Sequence, residues 1–373
     1  MSKITETMRF FLKKNKKKTR EKVLVALSGG VDSSVAALLL QREGYDVSAG
    51  FIRGYNVDGC QDRDLEDARA VAQKIGIPFY VFDFEKEYKE RVVDYMLDGY
   101  RNGTTPNPDV MCNREVKFGL LYDEAMRSGF SWVASGHYAR IRRTRAGKFV
   151  GIYAARDHEK DQTYFLWDVP SDRFEKILFP LGAIKKPHVR AIARDAQLPT
   201  ADKKDSQGVC FLGKFQFDEF LKKHIVTTPG AIYDTTGKNV GTHDGAALYT
   251  IGQKHGFTNT AGRAYTVIKK DLSANTLTVV YDDDPRLYTK EISIVRENII
   301  DQKTAQKLLA GKTVSAWGRT RYRQPLMPAR IARDRQGMLR LIFRHPEKAF
   351  PASGQSAVLY GRWGKMLGGG IIG

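Results

Sequence analysis

Seven residues, Ser28-Gly29-Gly30-Val31-Asp32-Ser33-Ser34, constrain this chain more than any other stretch. They follow the apolar run Val23-Leu24-Val25-Ala26-Leu27 and precede Val35-Ala36-Ala37-Leu38-Leu39-Leu40, which has the look of a helix. Strand, glycine-rich turn and helix, in that order, present backbone N–H groups and a positive helix end to a phosphate. The glycines let the backbone approach an anion closely, and the serine hydroxyls add donors. No lysine follows, so this is not a Walker A loop. A near match to that motif, Gly208 to Lys214, runs into Phe215 and lacks the Mg²⁺-binding hydroxyl.

The loop resembles the PP-loop of the ATP pyrophosphatases, which implies ATP cleavage between the α and β phosphates and adenylation of an oxygen. The residues around it agree with an α/β domain. Short apolar segments at Val23–Leu27, Asp46–Ile52, Pro78–Asp83 and Trp132–Ser135 alternate with amphipathic stretches at Ser33–Glu43, Asp62–Ile75, Glu85–Gly99, Asn113–Ser128 and Pro187–Ala196. That alternation predicts a parallel sheet with helices on its faces. Ligands in such sheets sit beyond the carboxyl ends of strands, where Ser28 and Ser135-Gly136-His137 fall.

After Cys210 the pattern turns to short β segments punctuated by Pro229-Gly230, Thr236-Gly237-Lys238 and the glycines between 252 and 262. From about Ile292, strands at Val314–Trp317, Arg330–Ala332, Leu339–Phe343 and Ala357–Tyr360 suit a small barrel. The expected organisation is a basic arm over 1–21, a parallel-sheet PP-loop ATP pyrophosphatase domain over 22–213, a small central domain over 214–287 and a C-terminal β-barrel-like domain over 288–373. A chain of 373 residues is long enough for two or three such cores.

A formal net charge of +19 points to a polyanionic partner, and nucleic acid fits better than membrane because no convincing basic amphipathic helix is present. No apolar run approaches the roughly twenty residues that cross a bilayer. The lysine-rich arm around Lys13–Lys18 either touches RNA or serves only solubility. Three cysteines without a C-x-x-C make no disulfide scaffold, so a reducing cytoplasm is expected.

Two thiols stand in polar, turn-rich settings. Cys112 follows Thr104-Thr105-Pro106-Asn107-Pro108-Asp109-Val110-Met111, whose two prolines forbid a helix and stiffen the loop, and Asn113 can cap the helix that follows. Cys112 would then sit at a helix N-terminus, where the dipole favours thiolate. Cys210 lies in Lys203-Lys204-Asp205-Ser206-Gln207-Gly208-Val209-Cys210-Phe211, and the lysines favour thiolate again. Two such thiols beside an ATP-dependent sheet invite sulfur transfer, one carrying a persulfide and the other resolving it. Cys60 has no partner by spacing.

Together with Gly136–Tyr138, Lys160–Gln162 and Gly354–Tyr360, these motifs make the chain resemble the bacterial tRNA-specific 2-thiouridylase family, in the family's order from Ala26 to the glycine-rich end. The resemblance implies ATP-dependent 2-thiolation of the wobble uridine in tRNAs for Lys, Glu and Gln. Carried over by position, Ala26, Leu27, Ser28, Gly29, Gly30, Val31, Asp32, Ser33 and Ile52 line the ATP site, with Gly136 against the nucleotide. Asn107, Pro108 and Asp109 meet the target base. His137, Lys160, Asp161, Gln162, Arg321, Tyr322 and Gln355 contact tRNA. Cys210 carries the persulfide, Cys112 is the second catalytic thiol, and the sulfur comes from a cysteine desulfurase directly or through a relay protein.

Several roles stay open at the level of sequence. Asp109 is either a general acid or base near the C2 oxygen or a residue that shapes its loop. Asp32 either orients Mg²⁺ on the ATP or is a helix N-terminal carboxylate. His137, in a loop, fits an RNA contact better than a core position. Lys160–Gln162 before Tyr164-Phe165 suits a splayed-out base, and Arg319 to Gln324 reads as arginines along one side of a strand. Sulfur could arrive as persulfide, as hydrosulfide, or from an iron–sulfur cluster on Asp109, Cys112 and Cys210. Another PP-loop synthetase acting on a small molecule, and a tRNA-binding module without catalysis, are the competing classes; neither calls for the paired thiols.

Overall fold

The structure, a computed structural model, describes residues 20–56, 59–205, 217–259 and 264–373. The chain divides into two compact units. The first comprises Met1–Tyr88, Asn113–Thr163 and Val169–Gly213, and the second Lys89–Cys112, Tyr164–Asp168 and Lys214–Gly373. The division does not follow chain order, because the loop carrying Asn107 to Cys112 clusters with the later residues.

The first unit is built on a parallel sheet. Strands β1 (Lys22–Ala26), β2 (Asp46–Arg53), β3 (Phe79–Asp83), β4 (Trp132–Ser135) and β7 (Ile177–Leu178) lie in the order β3-β2-β1-β4-β7, and β5 (Ala139–Arg143) and β6 (Phe149–Ala154) form an antiparallel hairpin. β1 is central, and Val23, Leu24 and Val25 are all fully buried. Val23 and Val25 pack on one side with Ala37, Leu40 and Val71, while Leu24 packs on the other with Leu121, Ala125 and Val133. Burial on both faces explains the unbroken apolar run, and each such Val or Leu contributes about 1.5–3 kcal/mol. The helix Val31–Arg42 is buried on more than one side, with Val31, Val35 and Leu38 joining a second core beside Val189 and Ala193.

Because β2 and β3 continue to one side of β1 and β4 lies on the other, the strand order reverses between β1 and β4. That reversal opens a crevice at the carboxyl ends of β1 and β4, the usual ligand position in open parallel sheets.

In the second unit, β8 (Gly230–Tyr233), β9 (Asn239–His243), β10 (Thr258–Asn259), β11 (Tyr265–Asp271) and β12 (Thr276–Tyr281) form a sheet ordered β10-β9-β8-β12-β11 around Ile232, Val267, Leu277 and Val279. The strands β13 (Thr289–Ile299), β14 (Val314–Arg319), β15 (Met327–Arg333), β16 (Leu339–Glu347), β17 (Ser356–Tyr360) and β18 (Lys365–Ile372) run in the order β13-β16-β15-β14-β17-β18, and pairing of β13 with β18 closes them into a barrel. Its interior holds Ile331, Leu341, Phe343 and Leu359. The fold class expected from the sequence is present. Among the described residues no helix is long and apolar enough to cross a membrane.

Two local expectations give way. Pro108 does not exclude a helix but begins one: Pro108–Met111 is helical, and the chain continues through π-helical turns at Cys112–Leu120. Proline suits a first helical position, where its missing N–H would have had no acceptor. The cap is Asn107, whose side chain accepts from the Val110 N–H at 3.3 Å, and not Asn113, which is buried inside the helical run.

Candidate functional site

The loop between β1 and the helix Val31–Arg42 is shaped largely by its own hydroxyls. Gly29 has φ +71°, and a Cβ there would lie 2.2 Å from the Asp64 carbonyl oxygen, so only glycine fits without rearrangement. Gly30 caps the helix in extended conformation. Its carbonyl accepts from the hydroxyls of Ser33 (3.1 Å) and Ser34 (2.8 Å), and Ser33 Oγ accepts from the Ser28 N–H at 3.2 Å. These bonds fix the loop and leave the first-turn N–H groups, which have no intrahelical acceptor, for an anion.

Charge around the loop comes from outside it. Asp32, in the first helical turn, binds Lys186 Nζ through both oxygens at 2.8 and 2.7 Å and accepts from the Tyr138 hydroxyl at 2.8 Å. The same ammonium contacts Asp205 at 2.8 Å, and Asp205 also pairs with Lys160 (2.7 Å) and Arg190 (2.6 Å). Burial alone would raise the Asp205 carboxyl, but hydrogen bonds from Lys160 and Lys186 outweigh it and hold it at about 2. Lys203 binds Asp64 and Asp67 and donates to the Gly29 carbonyl at 3.0 Å, so the segment 203–205 braces the loop twice. Burial works against the Lys203 charge, yet the two carboxylates keep it raised. Among the described residues no three His, Cys, Asp or Glu side chains gather as a metal site. With both Asp32 oxygens engaged by Lys186, the described residues do not form a cage for Mg²⁺.

From the end of β4, Gly136 meets the loop. A Cβ on it would lie 2.7 Å from Ser33 N and 2.8 Å from the Asp32 carbonyl carbon. His137, expected at an RNA surface, is instead buried with its ring between Phe118 and Phe179 and shares a 2.8 Å hydrogen bond with Ser135 Oγ. Burial, and after it the Lys117 charge, hold its imidazole well below the usual range. Lys160, Asp161 and Gln162 are likewise engaged inside the first unit. Asp161 is buried and accepts from the Ala155 N–H and the Thr163 hydroxyl, while Gln162 accepts from the Tyr138 N–H.

The second unit contains a cleft of about 580 Å³, within the range of about 300–1,000 Å³ typical of ligand pockets. Asn107, Arg321, Tyr322 and Gln355 all line it, together with Tyr100, Tyr164, Thr250, Gln253 and His255. Thr105 ties its walls together: its N–H donates to the Ser353 carbonyl, its own carbonyl accepts from Gln355 Nε2 at 2.8 Å, and its hydroxyl meets that of Thr250 at 3.2 Å. Arg321 donates to the Ile251 carbonyl at 2.7 Å and lies over the Phe350 ring, while Tyr322 packs on Phe165 with ring centroids 4.6 Å apart. Arg321 and Arg323 do not lie along a strand, because β14 ends at Arg319 and the residues after it turn.

Comparison with known proteins bears on both places. Family profiles described as a tRNA methyl transferase HUP domain, a tRNA methyl transferase PRC-barrel domain and an aminomethyltransferase beta-barrel domain match residues 21–214, 218–281 and 289–372. The tRNA-specific 2-thiouridylase MnmA of Akkermansia muciniphila is 42% identical over 360 residues, covering 94% of this chain and 98% of that protein. The namesake proteins of Cupriavidus metallidurans and Bacillus subtilis are 42% and 39% identical, each over 94% of this chain and over 99% and 94% of their own lengths. The chain belongs to the tRNA-specific 2-thiouridylase family. That family comprises tRNA sulfurtransferases, so the chain is counted among transferases that modify tRNA.

Of the residues that likeness to 2-thiouridylases singled out, the first unit gathers Ala26 to Ser33 and Gly136 at one crevice, with Ile52 two residues beyond the β2 partner of Ala26. The second unit gathers Asn107, Arg321, Tyr322 and Gln355. Pro108 is buried, Asp109 is partly buried in the first turn after Asn107, and Cys112 is buried. Cys210 and the near match at Gly208–Lys214 lie outside the described residues. Sequence reasoning missed Lys186, which no local motif marks, and gave the Tyr138 hydroxyl no role although Gly136–Tyr138 stood out as a motif. It also passed over Gln253 and His255, although Gly252-Gln253-Lys254-His255-Gly256 is a polar turn bracketed by glycines.

Proposed function

We propose that this chain adenylates the C2 oxygen of the wobble uridine in tRNAs for Lys, Glu and Gln and replaces that oxygen with sulfur. The observation that carries the reading is the lysine-free glycine loop, with its first-turn N–H groups at the strand-order reversal, in a chain about 40% identical to 2-thiouridylases along most of its length. Such a loop suits the leaving pyrophosphate of ATP. Methyl transfer, the chemistry named in two of the profile descriptions, would have no use for it.

Uracil O2 attacks the α phosphorus, an O–P bond forms, and the α–β anhydride breaks to release pyrophosphate. The oxygen then belongs to a good leaving group. The terminal sulfur of a Cys210 persulfide attacks C2, and AMP departs with that oxygen. The Cys112 thiolate attacks the Cys210 sulfur, which breaks the S–S bond, leaves the thiocarbonyl on the base and joins the two cysteines in a disulfide. A thiol reductant restores them, and a cysteine desulfurase or relay protein reloads Cys210. Mg²⁺ travels with the triphosphate in this scheme. Hydrosulfide released before attack on C2 gives the same product.

The aromatic ring of Tyr322, the Asn107 amide and the Arg321 charge suit an unstacked RNA base. Mass analysis of nucleosides from tRNA incubated with the enzyme, ATP and a sulfide source tests the whole reading. Sulfur in place of oxygen on uridine is the expected product, and tRNA recovered without 2-thiouridine would refute the assignment.

A further inference from the structure

The glycine loop has no lysine, and the first turn of its helix carries a carboxylate, Asp32, at the end where a triphosphate would bind. A negative charge there favours the helix but opposes an anionic ligand. Resting on the reading of this loop as the ATP site, we propose that Lys186 is a positioning residue of that site, whose ammonium neutralises Asp32 so that the loop accepts a triphosphate.

The side chain of Lys186 is 9% exposed, and its ammonium lies 2.7 Å from Asp32 and 2.8 Å from Asp205. The two carboxylates differ in what they would lose with it. Asp205 keeps Lys160 and Arg190. Among the described residues Asp32 keeps one neutral donor, the Tyr138 hydroxyl. Tyr138 stays neutral because burial, reinforced by the Asp32 charge, raises its phenol. Lys186 is therefore the cation in contact with Asp32 among the described residues. Its backbone is held separately, since its N–H donates to Asp157 Oδ2 at 2.8 Å and Pro187 follows in the first helical turn. Removing the ammonium leaves that anchor in place. The lysine that a Walker loop carries in sequence is here supplied from 154 residues away.

Binding of ATP to the full-length protein, measured by calorimetry with Mg²⁺ chelated by EDTA, tests this without metal binding at Asp32 entering. Lys186→Met is expected to weaken ATP binding by about tenfold or more, because an unneutralised carboxylate then stands beside the triphosphate. Lys186→Arg should stay close to wild type. Asp32→Asn with Lys186→Met should bind ATP more tightly than Lys186→Met alone and about as tightly as the wild type, because the charges of the pair are removed together.

A purely structural role would not give that pattern. Wild-type affinity in Lys186→Met, or a double variant no tighter than Lys186→Met, overturns the proposal. Where Lys186→Met does not fold, the double variant is compared with the wild type, and ATP binding more than about tenfold weaker in the double variant overturns it. Filter binding of tRNA is the folding control. A wild-type protein that holds tRNA but no ATP, either in EDTA or with Mg²⁺ restored, would instead overturn the reading of the loop itself.

Discussion

Gly136 lies against Ser33 so closely that a Cβ on the former would stand 2.7 Å from the backbone nitrogen of the latter. The loop after β4 and the first turn of the helix Val31–Arg42 thus touch backbone to backbone where the strand order turns. The contact leaves no slack for a side chain.

Gly136→Ala is therefore expected to push the loop at Ser28–Ser33 out of place. Overpacking of this kind costs about 1–3 kcal/mol, and the displaced N–H groups should lower kcat/KM for ATP by roughly tenfold or more. The same variant should bind tRNA like the wild type. Unchanged ATP kinetics would contradict the close approach.

The cysteine roles separate by assay. Cys210→Ser should abolish 2-thiouridine formation while ATP–pyrophosphate exchange on tRNA survives, and Cys60→Ser should leave thiolation intact. 2-Thiouridine from a Cys210→Ser preparation would remove the persulfide assignment. A colourless, iron-free and fully active enzyme from anaerobic purification would exclude a cluster.

Cys112 is buried at 3% exposure. With Cys60 and Cys210 changed to serine, it should react with iodoacetamide at least about tenfold more slowly in native protein than in urea, since buried thiols are shielded. Equal rates would show the thiol to be open at rest.

His137 gives the protein a dependence on pH. Its folded imidazole stays neutral, held well below 6.5 by burial, while the unfolded one titrates near that value. The folded state then binds fewer protons, so the stability from this group is complete above pH 6.5 and is lost as pH falls below it. Between pH 6.5 and 5.5 the wild type should lose about 1 kcal/mol more than His137→Gln by linkage. Urea unfolding at the two pH values checks this, and parallel losses would contradict it.

Tyr322 offers its ring to the cleft. Tyr322→Ala should weaken tRNA binding by the roughly 1–3 kcal/mol that base stacking supplies, and Tyr322→Phe should retain most of the affinity. Binding should also fall steeply with salt, as phosphate contacts require. Equal affinity of the alanine and phenylalanine variants would exclude stacking.

The parts of this fold that are legible in the sequence are those governed by neighbours along the chain. Val23–Leu27 reads as a buried strand and Ser28–Ser34 as an anion loop because apolar runs and glycines act locally. Pro106 and Pro108 were misleading since proline opposes helix interiors yet suits the first helical position, and Asn107 rather than Asn113 supplied the cap. His137 sits in a loop, as its flanking residues suggest, but Phe118 and Phe179 close over it from elements 19 and 42 residues away in sequence. Lys186 carries no local signal at all. Its meaning depends on Asp32 and Asp205, which the sheet topology brings to it.

Closure of the barrel bears on how the molecule is made. Gln355 enters the cleft from a backbone held by β18: Ile372 donates to the Gln355 carbonyl at 2.8 Å, and Gly354 donates to the Ile372 carbonyl at 3.0 Å. A nascent chain emerging from the ribosome can assemble β1, β2 and the glycine loop hundreds of residues before Ile372 is translated. The wall of the cleft at Gln355 must wait for that residue. Prematurely terminated chains would thus carry the loop without a finished cleft.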